Sequence, residues 1–200
     1  MGLTLNSNSL NLATSGGSAA TGLSTSDVTT LIKNNTPYTF ISKVDCDGTN
    51  NIVEFPLVEA DYINYKVLAD FDLIASTYMM GYFYSGGSSL GSAYKHANPY
   101  TRSSSQSNYQ QSNDGVIYFG QADYEHPVTF EMDFSINPNF INRPFRFLLG
   151  ASHSSNEGVF IRGGGAFASS GTIDKVRFQT ANNNFANGGT FKLYGVNQDA

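Results

Sequence analysis

The residues able to do chemistry are few and scattered. Asp123, Glu125, Glu131 and Asp133 lie close together in the chain, and hydrolysis of a sugar polymer would need two such carboxyls facing each other across a groove. Glu131 and Asp133, however, alternate with Val128, Phe130, Met132, Phe134 and Ile136. That period of two describes a strand with one buried and one wet face, and it puts both carboxylates on the wet face. His96, His126 and His153 fall in separate segments, so each reads as a surface residue or local hydrogen-bond partner, not as a metal ligand. The lone Cys46 leaves no internal disulfide and no zinc-ligand spacing. Around it, Asp45-Cys46-Asp47-Gly48-Thr49-Asn50 departs from the calcium-loop pattern at Gly48 and lacks a following bidentate Glu. The segment is read as a hairpin turn.

Gly163, Gly164 and Gly165 neither follow a parallel strand nor open an amphipathic helix, so they read as a flexible turn and not a phosphate cradle. The sequence contains no P-loop, H-E-x-x-H or paired C-x-x-C. The expectation is a non-enzyme with no cofactor and no metal. One constellation remains, the long polar interruption from 85 to 114. It carries Tyr94, His96, Tyr100, Arg102 and Tyr109 among Ser, Asn, Gln and Gly, types that make adaptable contact surfaces. These five are the candidate ligand or subunit contacts. The other reading of the segment is a solvated loop, or one with an extra edge strand through 92–97.

The elements that must carry these residues are strands. Segments 38–45, 51–55, 63–73, 77–84, 115–120, 127–137, 144–151, 158–163, 172–179 and 190–196 all show strand signals, nearly all separated by turn residues. Tyr65, Val67, Ala69 and Phe71 repeat the alternation of 128–136, with Leu68 out of phase, and Phe145, Phe147 and Leu149 supply a third inward row. Many short alternating strands predict an all-β fold, an antiparallel jelly-roll-like β-sandwich over 37–200. A chain of 200 residues suffices for one principal domain.

Before the sandwich, residues 1–23 are rich in Ser, Asn, Thr, Gly and Ala, with Leu3, Leu5, Leu10 and Leu12 in two alternating pairs. They are expected to form an extended arm, ordered only by a partner. Ser24 offers an N-cap, Asp27 an acidic first turn, and Val28, Leu31 and Ile32 an apolar stripe at helical spacing, so 24–36 reads as a short helix and linker ended by Pro37. That stripe packs either on its own domain or on copies of itself as an oligomer seam.

Composition narrows the partners. Charged residues make up 14% of the chain, well below the roughly 25% of ordinary domains, and the net charge is -5. Nothing favours phosphate neutralisation, so nucleic acid is not expected. No apolar run approaches the roughly 20 residues of a membrane span, and the first residues lack a signal-peptide pattern. The chain is read as made in a cytoplasm, unprocessed and not inserted in a membrane.

Two stretches resemble structural proteins of bacteriophage particles, particularly marine tailed phages. One runs from Gly22-Leu23-Ser24-Thr25-Ser26-Asp27-Val28 through Phe40. The other runs from Ile173-Asp174-Lys175-Val176-Arg177-Phe178 to Gly188-Gly189-Thr190-Phe191-Lys192-Leu193-Tyr194-Gly195-Val196. The resemblance implies a fibre-head type domain, a homotrimer, a place on the virion surface and adhesion to a host. Tail fibres of that family carry long shafts, and only a short arm and one helix precede this domain. The expectation is therefore a capsid decoration protein, head fibre or small tail appendage, anchored to another virion protein through Leu3, Leu5, Leu10 and Leu12. A host-glycan adhesin is the alternative, and a polysaccharide-degrading enzyme the third reading.

Overall fold

A computed structural model of the chain describes residues 2–6, 9–13, 37–75, 77–102, 106–122, 127–152 and 158–197. Its elements in chain order are β1 (Gly2–Asn6), β2 (Ser9–Ala13), β3 (Tyr38–Asp45), β4 (Ile52–Pro56), β5 (Asn64–Phe71), β6 (Thr77–Ser85), β7 (Ser88–Ser89), β8 (Tyr94–Arg102), β9 (Gln106–Asp114), β10 (Ile117–Ala122), β11 (Val128–Ser135), β12 (Asn142–Ser152), β13 (Gly158–Ala168), β14 (Lys175–Thr180) and β15 (Thr190–Val196). Two compact units result: residues 1–39 with 197–200, and residues 40–196. The expected helix over 24–36, with Val28, Leu31 and Ile32, lies outside the described residues.

The larger unit is an antiparallel two-sheet sandwich. One sheet has eight strands in the order β3-β15-β5-β11-β12-β13-β8-β9; the other has five, with β10-β6-β14-β4 in line and β7 beside β6. The alternation read at 128–136 is the reason: Val128, Phe130, Met132 and Phe134 are buried while Thr129, Glu131 and Asp133 face outward. Across the interior Phe119 meets Phe130 and Phe147 edge to face, with ring centroids 4.9 and 4.8 Å apart, and Phe83 stacks on Phe167 at 4.0 Å. Such ring pairs add to the area term that dominates the core.

Three local expectations are corrected. The polar interruption from 85 to 114 is largely a hairpin, β8 paired with β9; the strand read through 92–97 is there, but it runs over Tyr94–Arg102 and lies inside the sheet, not at its edge. Gly163, Gly164 and Gly165 are not a turn; they sit inside β13, between β12 and β8. The Asp45–Asn50 segment is a turn but not a hairpin, since β3 and β4 belong to different sheets. There Asp47 Oδ1 accepts the Thr49 N–H and hydroxyl, each at 2.8 Å.

The closing motif also crosses the sandwich. β14 lies between β4 and β6, whereas β15 lies between β3 and β5. Phe185, in the Asn-rich link, is fully buried and packs its ring against Phe71 and Phe191 at 5.2 and 5.1 Å. In the other unit, the described part of the segment expected to be an extended arm pairs on itself, β1 with β2. Leu3 stands opposite Leu12 and Leu5 opposite Leu10, and residues two apart or directly opposed share a face.

Candidate functional site

The outer face of the eight-stranded sheet carries a groove that the sequence does not announce. Registers build it row by row. Lys66, Asp133, Arg146, Gly164 and Ala97 stand side by side on β5, β11, β12, β13 and β8. In the next row Glu131, Leu148 and Arg162 are adjacent. Gly164 and Ala97 project little, and the taller side chains around them, with Pro99, enclose a groove of about 470 Å³. That volume is within the roughly 300–1,000 Å³ of small-molecule sites. A second hollow of about 250 Å³, lined in part by Leu68, Asp70, Thr129 and Gly150, shares Glu131 and Leu148 with it as a common wall.

Charge is ordered across this face. The Lys66 ammonium bonds Glu131 and lies 3.4 Å from Asp133, and Arg146 Nε reaches the other Asp133 oxygen at 2.9 Å. Both carboxylates are on the outer face, as their alternation predicts, and each is engaged by a cation. Among the described residues, Arg162 enters no ion pair. Asp123, Glu125, His126 and His153 lie outside the described residues.

The Tyr-rich candidates resolve differently. Tyr94 is fully buried, not a surface contact. Its hydroxyl accepts the Phe83 N–H at 2.6 Å and donates to the Phe83 carbonyl at 3.3 Å, and burial pushes its pKa up. His96, 4% exposed, is likewise interior. Its Nε2 accepts the Tyr118 N–H at 3.4 Å, while Asn98 Nδ2 donates to the Tyr118 carbonyl. Strand β10 ends the five-stranded sheet, so two side chains from β8 take the main-chain groups that a further strand would otherwise pair. Burial holds the His96 imidazole below its ordinary pKa of 6.5, with Asp114 opposing.

Gly120, at φ 145°, sits at the register shift of β10, a backbone state that favours glycine. Tyr100 and Arg102 stand on β8 opposite Ile161 and Val159, and Tyr109 on β9 opposite Asn98. Tyr94 and His96 thus close the interior, and the groove lies on the other face of the same sheet. Its signal in the sequence was the outward set of β8 and β13, Ala97 and Pro99 with Arg162 and Gly164, legible only once both segments are read as strands.

No family model, curated protein or solved structure matches this chain.

Proposed function

We propose that this chain is a non-enzymatic surface component of a bacteriophage particle, a capsid decoration protein, head fibre or small tail appendage. Its N-terminal segment attaches it to another virion protein, and the sandwich is displayed outward in a homotrimer. The observation that carries this reading is the hairpin of β1 and β2, with Leu3 against Leu12 and Leu5 against Leu10, in a unit separate from the sandwich. A two-stranded hairpin is marginal in water by itself. Leucine side chains gain roughly 1.5–3 kcal/mol each when covered, which suits a leucine-bearing segment that docks.

Deletion of residues 1–23 tests this. The truncated protein should keep its thermal transition and near-ultraviolet spectrum yet vanish from purified particles. Normal incorporation would overturn the anchoring role, and copy number per particle separates the locations: hundreds for capsid decoration, about a dozen for a tail appendage.

The groove on the eight-stranded sheet favours a second reading, a host-glycan adhesin. Display in many copies would turn weak contacts into firm attachment. Whole-cell binding by the purified protein tests it, and failure to bind any susceptible host would remove it.

A further inference from the structure

We infer that the groove between β11 and β8 is a binding site for a carboxylated saccharide. This rests on the adhesin reading of that face and adds the chemistry of the ligand.

Charge sets the groove apart from the rest of the surface. The chain is net negative at -5, but the groove is not. Glu131 and Asp133 are matched by Lys66 and Arg146. Arg162 lies two strands beyond β11, with Leu148 between it and Glu131, a separation of about 9.6 Å at 4.8 Å per strand. Lys95 stands two residues along β8 from Ala97, exposed on the same face. Neither Arg162 nor Lys95 enters an ion pair among the described residues. The outer face of the other sheet makes the contrast: there Lys175 and Arg177 both bond Glu54, at 3.1 and 2.6 Å, and both lie over the Tyr84 ring. Lys175 and Arg177 are consumed on that side, whereas Arg162 and Lys95 are offered on this one.

Shape and polarity together fit a sugar. A sugar ring needs a flat, partly apolar bed and both donors and acceptors at its rim. Gly164 and Ala97 form a floor of low relief, Pro99 and Leu148 supply apolar flanks, and Arg162 and Glu131 stand at the rim. A guanidinium fork matches a carboxylate in two parallel bonds. A carboxylate suits the site better than a phosphate, because Glu131 and Asp133 repel a dianion more than a monoanion while still accepting from hydroxyls. The adjoining hollow behind Glu131 and Leu148 leaves room for a neighbouring sugar unit.

The test is an amide-resolved NMR titration of the full chain with D-glucuronate, D-glucose and inorganic phosphate in parallel. Glucuronate should shift Ala97, Arg162, Gly163 and Gly164 saturably at about millimolar concentration, as expected of an open site with few bonds, and added salt should weaken it. Glucose should bind at least tenfold more weakly. Arg162→Gln, at an exposed position, should leave the remaining spectrum in place and reduce glucuronate affinity about tenfold, the loss of one charge-assisted bond; Lys95→Gln should reduce it less. Equal binding of glucose, tighter binding of phosphate, or an unaffected Arg162→Gln would each overturn the proposal. Cells bound by a protein that ignores glucuronate would reject this ligand while keeping the adhesin; glucuronate bound by a protein that ignores cells would reject the adhesin and keep the site.

Discussion

Alanine substitution along β13 gives a graded prediction, because its neighbouring glycines have very different surroundings. At Gly165 an added Cβ would lie 1.9 Å from the Lys95 carbonyl oxygen and 2.8 Å from the His96 Cα. Both are main-chain atoms of the adjacent strand, so no rotamer change relieves the clash, and β8 must move by an ångström or more. At Gly163 the Cβ would lie 2.4 Å from the Phe147 ring and 2.5 Å from Asn98 Oδ1. These are side chains, but Phe147 is held by Phe119 and Phe130. At Gly164 the nearest atom is the Phe145 carbonyl oxygen at 3.0 Å, and at Gly158 nothing lies within 4 Å.

Overpacking a tight core costs about 1–3 kcal/mol, so Gly163→Ala belongs in that range and Gly165→Ala at or above about 3 kcal/mol. Gly164→Ala should cost under about 1 kcal/mol, since a few tenths of an ångström suffice, and Gly158→Ala should be neutral or slightly stabilising. At about 2–4 °C per kcal/mol for a chain of this size, Gly165→Ala lowers Tm by about 6–12 °C. Thermal denaturation followed by circular dichroism measures the order. A Gly165→Ala protein melting with the wild type, or a Gly164→Ala protein melting below the Gly165→Ala protein, would refute the placement of β13 between β12 and β8.

Two further predictions come from buried ionisable groups. Burial depresses the His96 pKa, so the unfolded chain binds the proton more readily; the stability His96 contributes is present above about pH 6.5 and lost as pH falls through the lower folded value. Tm should therefore decline between pH 7.5 and 5, and His96→Gln should flatten that decline; parallel curves for the two proteins would count against it. Cys46 is buried, and desolvation with Asp45 and Asp47 raises its thiol to about 11. Native protein at pH 8 should react with a thiol reagent far more slowly than urea-unfolded protein, because the thiolate is the nucleophile, and matching rates would contradict its burial.

The strands were legible where side chains follow the simple rule of apolar inward and polar outward. β11 obeys it, with Val128, Phe130, Met132, Phe134 and the following Ile136 all buried as read, and β3 carries strong β-formers. The rule failed on β8 for a physical reason: its inward row is Tyr94, His96 and Asn98, polar groups made tolerable by main-chain partners on β6 and β10. A period-two search for apolar residues passes over such a strand. The sheet to which each strand belongs was equally hidden. Nothing local in Lys175–Thr180 or Thr190–Val196 says that the two lie in opposite sheets, and Phe185, whose burial marks the crossing, sits among asparagines that read as a loop. The groove needed more again, since its lining comes from strands far apart in sequence.

That non-locality bears on where specificity can reside. Asp133 and Arg146 neighbour each other because β11 and β12 form a hairpin, but Arg146, Gly164 and Ala97 are aligned by the β12–β13 and β13–β8 ladders. The same ladders bring Gly165 under Lys95 and His96, so the close approach of β13 to β8 fixes the separation of Arg162 from Pro99 and the depth of the floor between them. His96 and Asn98 hold β8 from beneath through Tyr118. A substitution that loosens either contact, such as Gly165→Ala or Asn98→Ala, should therefore weaken ligand binding in the groove without touching a lining side chain. Arg162→Gln should do the reverse, losing the ligand at unchanged Tm.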